Sequence, residues 1–399
     1  MNKATQELYP LANATPQDLA NICDALWGWS PCSQWVQGGF CFLVSAGCPC
    51  LRANKLEPFF NFYRNVTAYY LPDDMGRSKP ALRSHGDLRD IVVLLRKNMD
   101  EPRMRLTARY FATRAAEESQ MPLLSDQNRA FNLAARVVTM VLPSAENQSD
   151  GLLETGTQPP VWPGEISLAS FISSVFPKQE FPSLTGGNDV VDTAKTHVHS
   201  IMAKRLKKIA KLKMVPTDNL SSHLFLDTKN GTLAVFHYTS VLKENLAYEG
   251  EGSHQGGPTT RLRSSIPAPL ALETLATIKD VLFPDDEVSQ SMLRTLVSRA
   301  KFDPDIARIV DSPPSQPGTN EPMIYQYWGS RLLDLYDELE NPTPRGYFQK
   351  WLERKSGARH AMMATLIGLF VAVMLGALTL VVSVFQAWVA WQQWRHPKV

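Results

Sequence analysis

Cys23, Cys32, Cys41, Cys48 and Cys50 are the only cysteines in the chain, and all five lie within its first fifty residues. Thiols this close together can do four things. They can pack as small apolar side chains, since reduced cysteine is among the most buried residue types. They can bind zinc, but the run lacks a C-x2-C pair, only Cys48-Pro49-Cys50 brings two close, and no histidine precedes His85. They can be S-acylated beside a membrane. They can form disulfides in an oxidising compartment, which would leave one thiol over. Burial is the baseline, and Cys41, Cys48 and Cys50 are the candidates for acylation or a disulfide.

A second concentration of chemistry is basic. Lys195, Lys204, Arg205, Lys207, Lys208, Lys211 and Lys213 follow one another with no acidic residue between them, and Val198, Met202, Leu206 and Ile209 can share an apolar stripe. A helix over 192–212 would present that charge as a solvated face or to an anionic leaflet, where each basic side chain adds about 1 kcal/mol. Lys204, Arg205, Lys207, Lys208 and Lys211 are the candidates for such anionic contact. Nucleic-acid phosphates are the weaker expectation, because the whole chain is only +2 with 20% charged residues.

Other constellations carry less. His197 and His199, near Asp189 and Asp192, are metal-ligating types, but H-x-H faces one side only on a strand, and the surroundings read as helix. Pro314-x-x-Pro317 has the spacing of a polyproline ligand without a basic partner. The phosphate-loop, H-E-x-x-H, G-x-S-x-G and kinase patterns are absent from the sequence. No catalytic residue, metal ligand or cofactor is therefore assigned, and the expectation leans away from an enzyme.

The strongest pattern lies near the C-terminus. No charged side chain occurs from Ala361 to Trp394. A spanning helix needs about 20 apolar residues to cross a core of about 30 Å, and 361–387 suffices. Trp388, Trp391 and Trp394 follow as interfacial anchors. Ala364, Gly368, Ala372 and Gly376 fall every fourth residue, a small-xxx-small ladder suited to self-association in lipid. Arg345, Lys350, Arg354, Lys355 and Arg359 precede the run, whereas Arg395 and Lys398 follow it. The positive-inside rule then expects the bulk of the chain in the cytosol, tail-anchored, with no signal-peptide pattern at the start. Five N-x-S/T sequons, at Asn13, Asn65, Asn147, Asn219 and Asn230, pull the other way.

Helices are expected from Thr15-Pro16 to about Trp27, over 55–70, 87–98 and 105–118, and from a cap at Ser125-Asp126. Further helices are expected over 165–176, 269–283, 286–300, 323–340 and 346–360, and 38–51 reads as a buried strand or core segment. Asn230-Gly231 joins two short strands, 224–227 and 232–238. The expected organisation is a helical domain (1–142) with the cysteines, a basic helix and small β element (143–248), a flexible linker (249–265), a helical unit (266–341), a basic juxtamembrane helix (342–360), the span (361–387) and a short tail (388–399). The fold class is mostly α with a small β element and one C-terminal transmembrane helix.

Several segments resemble a family of uncharacterised single-pass membrane proteins of filamentous ascomycete fungi: ALWGWSPCSQWVQGGFCFLVSAGCPCLR, RAFNLAARVVTMV, AKRLKKIAKLKMVPTDNLSSHLFLD, PLALETLATIKDVLFP and DELENPTPRGYFQKWLERKSGARHAMMATLIGL. They are spread over most of the chain. The resemblance implies a fungal membrane protein and carries over no functional residue. The expected role is a membrane-tethered interaction or scaffold protein of the endomembrane system or plasma membrane. It would contact lipid and a protein partner and could pair with itself. The alternative is an enzyme acting on a lipid or membrane-confined substrate.

Overall fold

Thr15-Pro16-Gln17-Asp18 starts the first helix through a capping box: Asp18 N donates to Thr15 Oγ1 at 3.2 Å and Thr15 N to Asp18 Oδ2 at 2.9 Å. Gly28, at φ 69°, ends that helix in the left-handed conformation. The computed structural model describes residues 9–38, 48–72, 79–117, 121–144, 159–181, 200–250, 264–308, 324–343 and 360–395.

In chain order the elements are α1 (Pro16–Trp27), α2 (Ser33–Val36), α3 (Pro49–Lys55), α4 (Glu57–Ala68), α5 (His85–Lys97), α6 (Arg103–Glu117), α7 (Leu124–Thr139), α8 (Leu168–Val175) and α9 (Ala203–Lys208). Then come β1 (Lys213–Thr217), β2 (Phe225–Asp227), β3 (Thr232–Phe236), α10 (Thr239–Gly250), α11 (Ala268–Ala276), α12 (Glu287–Ala300), α13 (Gly329–Glu340) and α14 (His360–Arg395). Among the described residues the protein is mostly helical, with one three-stranded sheet of order β1-β3-β2. β1 pairs parallel to β3 with Met214 opposite Leu233, and β2 pairs antiparallel with Leu226 opposite Leu233. Asn230-Gly231 makes the expected hairpin, with Gly231 at φ 66°.

The chain separates into two units, Met1–Pro342 and Thr343–Val399. Within the first, one apolar cluster draws on Leu19 of α1, Phe59 of α4, Ile91 of α5, Phe131 of α7, Phe236 of β3, Ile278 after α11 and Leu332 of α13. Segments that the sequence separates at 143 and 249 thus share one core, because each contributes an apolar face. Within α7, Asp126 is not the cap. It lies in the first turn, is 3% exposed, and accepts hydrogen bonds from Tyr70 Oη at 2.7 Å and Ala81 N at 2.7 Å. A carboxylate with two buried donors serves tertiary contact better than capping.

The basic stretch departs from a long helix. α9 is only six residues, Lys211 turns the chain at φ 55°, and Lys213 already opens β1. Leu212 and Met214 are 1% and 2% exposed while Lys211 and Lys213 face out. From Lys213 the backbone pairs with β3, and that ladder overrides the helical reading of the lysines. Residues 39–47, the middle of the expected buried segment 38–51, and the expected juxtamembrane helix over 346–359 lie outside the described residues.

In the second unit, α14 runs unbroken through the apolar stretch and all three tryptophans. Leu366–Arg395 has a mean hydropathy of 2.6 in its most apolar window and none of that window is buried. It is long and apolar enough to cross a membrane. Two of its hydroxyls in the apolar run are satisfied within the helix: Thr379 Oγ1 donates to the carbonyl of Leu375 at 3.1 Å, and Ser383 Oγ to that of Thr379 at 2.8 Å.

Candidate functional site

A cleft of about 820 Å³ opens between β2 and α13, lined by Phe225 and Leu226 on the strand side and by Arg331, Asp334, Asp337 and Glu338 on the helix side. β2 is an edge strand. α13 is fixed at its N-terminal end by Glu273 of α11, which is 2% exposed. The Glu273 carboxylate accepts hydrogen bonds from the backbone N–H groups of Gln326 at 3.0 Å, Tyr327 at 2.9 Å and Trp328 at 2.7 Å. A negative charge at a helix N-terminus is favourable. Burial raises the Glu273 pKa, and these three donors offset only part of that rise. Trp328 Nε1 donates to Thr274 Oγ1 at 2.9 Å and completes the clamp.

Arg331 is committed to structure. Its guanidinium donates to the carbonyl of Ser221 at 2.7 Å and to that of His223. Burial pushes its pKa down to about 10. His223 is fully buried, accepts from Phe236 N at Nδ1 at 3.2 Å and meets Thr277 Oγ1 through Nε2 at 2.8 Å. Burial, with Arg331 adding to it, holds this ring neutral. The helix wall therefore offers carboxylates and the strand wall offers apolar side chains. Partial burial and the neighbouring Asp337 raise the pKa of Asp334. Such a wall favours cationic groups. Among the described residues, no group of three or more His, Cys, Asp or Glu is arranged to hold a metal ion.

A second polar cluster lies where α10 meets the turn after α12. Thr239 Oγ1 donates to Asp305 Oδ2 at 2.9 Å, Ser240 Oγ to Asp303 Oδ2 at 3.1 Å, and Lys243 Nζ sits 2.9 Å from Asp305. Asp303 N donates to His237 Nδ1 at 2.9 Å. Burial pushes Asp303 up to about 7 and His237 down to about 4. Each hydroxyl and carboxylate here has a structural partner, and the cluster locks the start of α10 to the Asp303-Pro304-Asp305 turn.

The cysteines form a third feature. Cys32, which caps α2, is disulfide-bonded to Cys50 in α3, with their Cα atoms 6.1 Å apart. That separation is within the range a disulfide requires. Cys23 is fully buried in α1, and burial pushes its thiol pKa up. Cys48 is buried, and Cys41 lies outside the described residues. Arg52, two residues beyond Cys50 in α3, ties this corner to α10 through Glu244, which also accepts from Trp29 Nε1 at 3.1 Å.

Of the basic candidates, Lys204 is paired with Asp286 of the α12 cap at 3.1 Å. Arg205, Lys207, Lys208 and Lys211 are exposed. Gly368 and Gly376 have open space where a Cβ would stand, and Ala372 is exposed between them, with Ala364 one ladder step before Gly368. Trp388, Trp391 and Trp394 are 52%, 50% and 81% exposed, and Arg395 stacks over Trp391 at 4.5 Å. His197, His199, Asp189, Asp192, Pro314 and Pro317 lie outside the described residues.

Sequence reasoning missed the cleft, Cys32 as a bonding partner, and the Asp303 cluster. Asp-Pro-Asp after a helix is a turn signal that points to the last. Nothing local marks Glu273 or Arg331, whose partners lie more than fifty residues away. No family model matches the chain, and no curated protein or solved structure shows significant similarity to it.

Proposed function

We propose that this chain is a membrane-tethered, non-enzymatic interaction protein, held in lipid by α14 and engaging a protein partner at the acidic cleft between β2 and α13. The observation that carries this reading is the contrast inside the molecule. Among the described residues, α14 leaves its apolar side chains exposed, with Val389 half-buried, whereas the first unit gathers a buried core of its own and presents a cleft of binding size between β2 and α13. An exposed helix of this hydropathy has lipid as its natural solvent. The carboxylates opposite an edge strand suit an extended partner segment carrying Lys or Arg. Arg205, Lys207, Lys208 and Lys211 add exposed charge suited to an anionic headgroup, and the ladder from Ala364 to Gly376 suits pairing of two copies. Endomembrane and plasma membrane both fit. Flanking charge favours the cytosol for the first unit, and the Cys32–Cys50 bond favours the opposite side.

The cleft volume also falls in the range of small-molecule sites, which keeps the enzyme alternative on a lipid or membrane-confined substrate. Against it, Arg331, the one cation in the cleft wall among the described residues, is committed to two carbonyls. The test is crosslinking of the full-length protein in its native membrane, comparing wild type with the D334K/D337K and G368I/G376I pairs. A partner adduct lost only in the first pair and a homodimer adduct lost only in the second support the reading. Adducts unchanged in both refute it.

A further inference from the structure

The first unit carries covalent chemistry that distinguishes the two sides of a membrane. The Cys32–Cys50 bond joins two helices across a separation of 18 residues. Cytosolic thiols are kept reduced by glutathione and thioredoxin, whereas the exoplasmic side of the secretory system is oxidising. Independently, three of the five sequons fall where glycans have room. Asn13, Asn65 and Asn230 are exposed.

Asn230 is the best placed. It stands in the β2–β3 hairpin loop beside Gly231, with its Nδ2 donating to Asp227 Oδ2 at 2.7 Å and its backbone N to Asp227 Oδ1 at 3.0 Å. A glycosylated carboxamide keeps one N–H, so that contact survives modification. Asn219 is the opposite case: half-buried, its carboxamide oxygen accepts from Ser221 N at 3.2 Å and Ser221 Oγ at 2.8 Å, and its Nδ2 donates to Ser222 Oγ at 3.2 Å.

We propose that the residues preceding α14 lie on the exoplasmic side of the membrane and that Asn230 carries an N-linked oligosaccharide. The inference rests on the reading of α14 as a span. In forming the bond, the two cysteine thiols give up two electrons and two protons to the disulfide of an oxidised dithiol oxidoreductase, which is reduced to its dithiol. In glycosylation, Nδ2 of Asn230 attacks C1 of a lipid-pyrophosphate-linked oligosaccharide. The N–C1 bond forms, the bond from C1 to the pyrophosphate oxygen breaks, the lipid pyrophosphate departs, and Nδ2 loses one proton. The five basic residues before α14 oppose this orientation. Flanking charge is a bias on insertion, whereas a disulfide requires an oxidant.

The experiment uses the full-length protein in membranes of a glycosylating eukaryotic host. Peptide:N-glycosidase digestion should increase wild-type mobility, and N230Q should remove one step of the undigested ladder. Alkylation of the denatured protein with a bulky maleimide should add two further labels after reduction, and C32S should abolish both of these reduction-dependent additions. Unchanged mobility on digestion overturns the orientation. A glycosidase shift that N230Q leaves intact overturns the assignment of Asn230, and alkylation of both Cys32 and Cys50 without reduction overturns the oxidising environment. Alkaline carbonate extraction of the same membranes reads the tether separately: retention with no glycosidase shift fails the orientation and leaves the anchor standing.

Discussion

α7 and α14 are both helices rich in apolar residues, yet they solve opposite problems. α7 buries Phe131, Ala134, Ala135 and Val138 at 0 to 3% exposure and turns its other face to water. α14 leaves Leu366, Phe370 and Val384 at 58%, 67% and 61%. An amphipathic helix is held by its neighbours, whereas a helix that is apolar all round must be held by its solvent. The same substitution should therefore be costly in one unit and silent in the other.

The sharpest contrast is aromatic truncation. Phe131→Ala should destabilise the first unit by about 3–5 kcal/mol in chemical denaturation, since its ring is fully buried. Phe370→Ala should leave that unfolding transition unmoved. Equal effects of the two would break the comparison.

A pH effect of similar size belongs to the first unit alone. Folded Asp303, at about 7, holds its proton above its ordinary 3.8, so its contribution is fully present below pH 4 and is lost as pH rises to 7. Folded His237, at about 4, holds fewer protons than the unfolded chain below its ordinary 6.5, so its contribution grows as pH rises from 4 to 6.5. The two terms, on the order of 4 and 3 kcal/mol at 1.4 kcal/mol per pKa unit, oppose each other and flatten the wild-type profile. Asp305, Lys243 and Ser240 around Asp303 and the more distant Asp218 near His237 stay in place in D303N. That variant should gain stability by about 3 kcal/mol between pH 4 and 6.5 as His237 is left unopposed. A D303N profile as flat as wild type would contradict the assignment.

In the second unit the corresponding blow is a charge. Leu375→Arg, near the middle of the apolar run of α14, should make insertion less favourable by about 2.5–3.5 kcal/mol in a microsomal insertion assay. It should not alter the denaturation of the first unit. The smallest effect is at a cap. Ser84→Ala removes the hydroxyl that accepts from Asp87 N at 3.3 Å and should cost about 1 kcal/mol. Ser383→Ala, within α14, should cost the first unit nothing.

The parts legible in the sequence are those written in short range. The Thr15 cap, the helix over 286–300, the Asn230-Gly231 hairpin and the charge-free run of α14 each depend on residues adjacent in the sequence. β1 was hidden because Lys213, its outward first residue, completed a basic run that imitates a helix face. The cleft was hidden for a different reason. Its walls meet only after Glu273 has gathered the N–H groups of 326–328, and Arg331 has reached back to Ser221 and His223. The cysteine cluster shows both limits: its crowding is plain in the sequence, but the Cys32–Cys50 pairing follows from the placement of α2 and α3.

The account stands on α14 being held by lipid, and alkaline carbonate extraction of membranes containing the full-length protein tests this most directly. Retention in the membrane pellet, with Leu375→Arg shifting protein to the supernatant, is the predicted result. Release of the wild-type chain into the supernatant would contradict the tether and everything built on it.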